Sequence, residues 1–287
     1  MGRDRLYSPK VIKEIKNFFG FNFSKGLGQN FLTDGNVVRA ISEGAKITKD
    51  DNVLEVGPGF GTLTEELLIN AKKVVSVELD ERLNPVLMQT LGEFDNFVLV
   101  NADILKADLN KLVSDQFGDE PFKVVANLPY YITTPIIELF LESNLNVKSL
   151  TFMVQKEVGD RILAKPGNKV YGSLTVFTSF YAEASMVVKV PKTVFMPQPK
   201  VDSVVINLRL KDKLPNVNKK IFFKLMRGGF TKRRKNILNS LTTDLSLGVD
   251  KAKMKEILAK LNIPENYRAE DLSLEDYLNI TKCLEKM

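Results

Sequence analysis

A chain of 287 residues, 44% hydrophobic and 26% charged, can bury one full α/β core and a smaller second one. Histidine is absent and Cys283 is the only cysteine, which excludes histidine bases, Ser-His-Asp triads, zinc fingers and disulfides; no metal site is expected. The formal net charge of +6 favours a polyanionic partner, and no stretch approaches the ~18 apolar residues of a membrane span, so a soluble cytoplasmic protein is expected.

The first 23 residues read as a basic lead whose helix, Lys10 to Phe19, carries Val11, Ile12, Ile15, Phe18 and Phe19 at helical spacing and packs on the main domain. A Gly-rich loop, Ser24 to Leu32, then precedes a helix with Val37, Val38 and Ile41 on one face. Next comes Asn52 to Gly61, NVLEVGPGFG, in which a short apolar run ends in glycines at 57, 59 and 61. Val53, Leu54 and Val56 suit a buried strand, the glycines permit positive φ and close backbone approach, and Thr62-Leu-Thr-Glu-Glu-Leu-Leu opens a helix behind them. The pattern predicts a ligand at the carboxyl end of that strand.

Three more strand-like runs follow. Lys73 to Leu79 brings Glu78 to its end, 21 residues after Gly57, where dinucleotide-type folds place an acid on a ribose hydroxyl. Phe97 to Asn101 is followed by Asp103, and Phe122 to Ala126 by Asn127-Leu128-Pro129-Tyr130. Gly, Glu, Asp and Asn are therefore expected along one edge of a parallel sheet. The spacing GxGxG, with Thr62 where the nicotinamide fingerprint needs Gly or Ala, fits the wider loop of S-adenosylmethionine (SAM) methyltransferases better.

Thr133 to Leu141 reads as a helix with Thr at its cap and Pro135 early. Ser149 to Gln155 is a fifth strand, Lys156 to Ala164 a charged helix, and Gly172 to Tyr181 a helix whose Leu174, Val176, Phe177 and Phe180 suit core. Residues 182–190 and 203–210 are expected to pair as the last two strands, joined by the proline-rich FMPQPKVDS. Past 212–216 only helical segments are expected, near 219–229, 233–243, 250–261 and 273–286, with the cations Lys232, Arg233, Arg234 and Lys235 opening the second.

The motifs LGQNFL, LEVGPGFGTLT, VELD, NADIL, NLPYYITTPII, MVQKEVGDR and FMPQPKVDS occur in this order. With them, and with GGFTKRRKNILNSL, nearly the whole chain resembles the small-subunit (16S) ribosomal RNA adenine dimethyltransferase family. The resemblance implies a Rossmann-like, seven-stranded, SAM-dependent methyltransferase domain over 1–212 and a small all-helical, RNA-binding domain over 213–287. It implies SAM as cofactor, held by Gln29, Asn30 and Leu32 of a lid loop, by Gly57 and Gly59 near the methionine part, by Glu78 on the ribose, by Asp103 with Ile104 at the adenine, and by Asn127. It also implies dimethylation of the exocyclic N6 amines of two adjacent adenosines in the 3′-terminal hairpin loop of 16S ribosomal RNA. The expected partner is the immature small subunit, approached by a monomer during subunit biogenesis.

The chemistry narrows the roles. Adenine's amine is a poor nucleophile on the Watson–Crick edge, so the base must be flipped out or unpaired. Two acceptors binding its hydrogens draw the nitrogen toward tetrahedral geometry; Asn127 Oδ1 and the carbonyl of Leu128 or Pro129 can do this, with Tyr130 stacking on the ring. Phe195 is expected to form the other face of that stack or, alternatively, to serve as a core aromatic. The run Lys232–Lys235 is expected to bind phosphates, although a charge run is usually a solvated face. Two other readings are kept: a large-subunit (23S) antibiotic-resistance methyltransferase, which typically reads Asn-Ile-Pro-Tyr where this chain has Leu128, and a non-catalytic ribosome-assembly factor.

Overall fold

The computed structural model describes residues 5–21, 28–243 and 248–286; Leu27 of the LGQNFL motif lies outside them. The chain divides into two compact units, residues 1–159 with 185–210, and residues 160–184 with 211–287.

In the first unit the elements are α1 (Pro9–Phe18), β1 (Phe31–Leu32), α2 (Gly35–Gly44), β2 (Asn52–Val56), α3 (Thr62–Asn70), β3 (Lys73–Glu78), α4 (Asn84–Leu91), β4 (Phe97–Asn101), α5 (Leu109–Phe117), β5 (Phe122–Asn127), α6 (Thr133–Glu142) and β6 (Val147–Gln155). After α7 (Lys156–Ile162) and α8 (Ser173–Tyr181) come β7 (Ala182–Val190), β8 (Phe195–Met196) and β9 (Ser203–Leu210). The sheet order is β4-β3-β2-β5-β6-β9-β7, parallel from β4 to β6, with β9 antiparallel to β6. All five residues of β2 are buried, as a central parallel strand covered on both faces requires.

Chain order reverses between β2 and β5, so the loops after these two strands diverge and leave a crevice at their carboxyl ends. The first is shaped by glycine: Gly61 begins α3 at φ 82°, and a Cβ there would lie 2.7 Å from Leu91 Cδ1. A second, two-stranded ribbon pairs β1 with β8, Phe31 opposite Met196 and Leu32 opposite Phe195. In α1, Ile12 and Ile15 are buried as expected, but Phe18 is 74% exposed.

The second unit adds α9 (Lys219–Thr231), α10 (Ile237–Thr243), α11 (Lys251–Lys260) and α12 (Leu274–Leu284). Its core is aromatic. Phe180 lies 4.6 Å from Phe222 between ring centroids, Tyr181 stacks on Phe223, and Phe230 on buried Tyr277, whose hydroxyl donates to the Ala269 carbonyl. These contacts account for the grouping of 160–184 with the C-terminal helices, whereas a boundary drawn from loss of strand pattern falls near 212 alone. Phe180→Ala should destabilise the protein by about 3–5 kcal/mol, the range for removing a fully buried ring. Urea denaturation monitored by circular dichroism checks this, and a loss below ~1 kcal/mol would show that the cluster is not the core of its unit.

Candidate active site

The ends of β2, β3 and β5 meet at an open cavity, all of whose lining residues belong to the first unit. Gln29, Asn30, Leu32, Gly57, Gly59, Glu78, Asp103, Ile104, Asn127, Leu128, Pro129 and Tyr130 all line it. Nine of these positions meet because parallel strands bring their carboxyl ends to the same edge, while Gln29, Asn30 and Leu32 reach it from the segment before α2.

The glycine loop is fastened to the neighbouring strand. Gly57 N donates to the Val77 carbonyl (2.9 Å), extending the ladder one step beyond β2. Gly57 and Gly59 have φ of 69° and 60°, and a Cβ on Gly59 would lie 2.8 Å from the Phe31 ring. Gly59 N also donates to Glu78 Oε2 (3.3 Å), while Glu78 Oε1 accepts from Asp80 N (2.8 Å). Glu78 is 6% exposed, and burial pushes its carboxyl above the ordinary range against the pull of these two amides.

The segment before α2 is tied to the same corner. Gln29 Nε2 donates to Asp80 Oδ2 (2.8 Å), and Asp80 is forked by Arg82 at 2.8 and 2.6 Å, which holds its carboxyl below the usual range. Asn30 donates from its side chain to the Gly28 carbonyl (3.0 Å), and its own carbonyl accepts from Asn127 Nδ2 (3.0 Å). The Asn127 amide is therefore anchored through its nitrogen, and Oδ1 has no partner among the described residues.

Around Asn127 the two candidate carbonyls differ. Pro129 O is engaged by Ile132 N (3.2 Å) and Thr133 Oγ1 (3.4 Å), whereas Leu128 O accepts no bond among the described residues. Tyr130 is fixed by its hydroxyl, 2.8 Å from Ser203 Oγ. Tyr131, 57% exposed, also lines the cavity. Asp103 Oδ1 caps Leu105 N (3.0 Å), and Ile104 is buried beside it.

Phe195 is not among the lining residues. It pairs with Leu32 in the small ribbon, is 6% exposed and packs in the apolar core, so the core reading describes its position in this structure. The basic run is also placed differently. Lys232–Lys235 does not open α10 but forms the turn between α9 and α10, because helix geometry ends at Lys232 (φ −123°, ψ 60°) and Asn236 Oδ1 accepts from Asn239 N at the new start. Arg233 in that turn is bonded to its own unit.

Sequence reasoning passed over Glu55. It lies inside the apolar run of β2, 1% exposed, lines the cavity and accepts from Ser76 Oγ at 2.7 Å. A carboxylate within a buried strand is itself the signal that could have found it. Burial pushes Glu55 up to about 7, opposed by Ser76 and reinforced by the charge of Glu78. The lining includes Glu55, Glu78 and Asp103 and no lysine or arginine, between apolar walls such as Val56, Leu63, Val77 and Ile104. That set of acceptors suits a ligand carrying a sulfonium, an ammonium and ribose hydroxyls, and opposes a phosphate; SAM fits it, a dinucleotide does not.

Ribosomal RNA adenine dimethylase is the family whose model matches residues 20–286. A protein of Enterococcus faecalis called ribosomal RNA small subunit methyltransferase A is 50% identical over 287 residues, 98% of this chain and 97% of that one. One of the same name from Alkaliphilus oremlandii is 48% identical, covering 96% of each. Among solved structures, a dimethyladenosine transferase from Plasmodium falciparum superposes with a TM-score of 0.77 at 28% identity, over 89% of this chain and 98% of that one. The 23S rRNA methyltransferase ErmE gives 0.70 at 29%, over 89% and 99%.

Because Glu55 binds its proton more tightly folded than unfolded, its contribution to stability is full below pH ~4.5 and is lost as pH rises to about 7, by roughly 3 kcal/mol at ~1.4 kcal/mol per pKa unit. Glu55→Gln should therefore melt higher than the wild type at pH 8, with the gap closing at pH 5. Parallel melting curves across that range would show that Glu55 is not the buried acid described.

Proposed function

The chain belongs to the ribosomal RNA adenine dimethylase family and is a SAM-dependent ribosomal RNA adenine dimethyltransferase; from this premise we propose that it dimethylates N6 of two adjacent adenosines in the 3′-terminal hairpin loop of 16S ribosomal RNA. The relatives at 48–50% identity are small-subunit enzymes by name, against 29% for the 23S enzyme, which favours the small-subunit substrate. We take the working form to be a monomer in the cytoplasm, acting on the immature subunit.

In this reading Glu78 binds the ribose hydroxyls, Asp103 and Ile104 hold the adenine, Gly57 and Gly59 leave room for the methionine part, and Gln29, Asn30 and Leu32 close over it. The bound SAM supplies an electrophilic methyl. The observation that carries the proposal is the Asn127 amide, fixed through Nδ2 with Oδ1 unpartnered. Oδ1 accepts one hydrogen of the substrate amine and the Leu128 carbonyl the other, so the nitrogen pyramidalises and its lone pair turns toward the methyl. Pro129 stiffens the loop, and Tyr130, clamped through Ser203, stacks on the flipped base. Phe195 backs Leu32 across the ribbon as a core aromatic and forms no face of the base site. The nitrogen loses a proton readily once alkylated, so no strong base is required. The helical second unit, with Lys232, Arg234 and Lys235 exposed, supplies phosphate contacts.

Asn127→Ala should leave folding nearly unchanged and lower methyl transfer by ~10²–10³, the usual loss for one preorganised polar group at a reacting centre. Tritiated methyl transfer from SAM to small subunits lacking the modification measures it, and wild-type turnover in the variant would remove NLPY from the catalytic role. Glu78→Ala should weaken SAM binding by roughly 1.5–3 kcal/mol, the range for a hydrogen bond to a charged group, as read by calorimetry; unchanged affinity would take Glu78 out of the site.

A further inference from the structure

One arginine of the basic run is already spoken for. Arg233 Nη2 donates to the carbonyls of Lys169 and Tyr171 (2.9 and 3.0 Å) and to Glu270 Oε2 (2.9 Å). The Glu270 carbonyl in turn accepts from Gly167 N at 2.8 Å. These bonds, all within the second unit, tie the loop between α7 and α8 to the turn between α9 and α10. All three bonds fall on Nη2, whose two hydrogens they share, so this nitrogen is committed to holding the loop.

The tied loop brings two cations of its own. Lys165 and Lys169 are exposed, as are Lys232, Arg234 and Lys235, and none of the five makes an ion pair among the described residues. Among the described residues the only acid bonded to the run is Glu270, and its charge is spent on Arg233. Unpaired like charges gathered round a tie repel one another, an arrangement that costs stability and is relieved when a polyanion binds.

We propose that the loop 165–169 and the turn 232–235 form one phosphate-binding surface for ribosomal RNA, with Lys165, Lys169, Lys232, Arg234 and Lys235 as its contacts and Arg233 as the positioning residue that holds the loop beside the turn. The class of partner rests on the function proposed above. The phosphate contacts thus extend to a segment some sixty residues from the run in sequence, and Arg233 acts on RNA through the loop its Nη2 holds at Lys169.

The test measures binding of the full-length protein to small-subunit ribosomal RNA across 50–300 mM potassium chloride, with calorimetric SAM affinity as the control for folding. Replacing Lys165 and Lys169 together by Ala should reduce the log–log salt slope by about 1.4–1.8, the value for two phosphate contacts, at unchanged SAM affinity. Glu270→Ala removes a negative charge, so if Arg233 binds phosphate directly this variant should bind RNA more tightly. A positioning role requires the opposite: binding weakened three- to tenfold, with faster amide exchange at Gly167 and Tyr171. An unchanged slope in the lysine variant, or tighter binding in the Glu270 variant, overturns the proposal while leaving methyl transfer by the wild type to stand. A wild-type protein that does not bind small-subunit RNA refutes the functional reading and this surface with it.

Discussion

The site depends on one buried carboxylate. Glu78 ends β3 at 6% exposure, and an ionised acid so placed is tolerated only if its oxygens are bonded. Its two bonds come from Gly59 N and Asp80 N, so satisfying the acid fastens the glycine loop of β2 to the loop after β3. The same corner then receives the segment before α2, because Asp80 also accepts from Gln29, and the carbonyl of Asn30 in that segment orients Asn127 on the far side of the crevice. Four segments distant in sequence are joined by a chain of single hydrogen bonds starting from one glutamate.

Charge divides the labour between the two units. The cavity lining holds three carboxyl groups and no basic residue, and two of those groups sit above the ordinary carboxylate range because burial disfavours their charge. Such a pocket attracts a cationic cofactor and repels polyphosphates. The basic character of the chain lies elsewhere: the loop 165–169 and the turn 232–235 carry five exposed cations that make no ion pair among the described residues. A net charge of +6 averages over both environments and describes neither.

The fold and the cofactor wall were legible because both rest on period and punctuation. Apolar runs of five or six residues ending in Gly, Glu, Asp or Asn fix strand ends, and parallel strands put those ends on one edge, which is why nine of the named residues line one cavity, whereas Gln29, Asn30 and Leu32 came only from the family resemblance. What was missed has physical causes. Glu55 sits in the middle of a run whose hydrophobicity masks it, and only the structure reveals that it is buried, bonded to Ser76 and open to the cavity. The grouping of residues 160–184 with the C-terminal helices arises from ring packing between Phe180, Tyr181, Phe222 and Phe223, contacts that carry no local signature. Four adjacent cations looked like a helix start, but Asn236 is the better cap and places them in the turn before it. The tie made by Arg233 to Lys169 and Tyr171 spans more than sixty residues and could not be read from spacing.

The central claim is that SAM lies across the ends of β2, β3 and β5 with its methyl toward Asn127. A crystal structure of the protein with S-adenosylhomocysteine tests it most directly. The account predicts both ribose hydroxyls within ~3 Å of the Glu78 carboxylate, the adenine against Ile104 with Asp103 at its edge, and the sulfur facing Asn127 Oδ1 and the Leu128 carbonyl. A ligand whose ribose lies away from Glu78, or whose sulfur faces away from the NLPY loop, would contradict it.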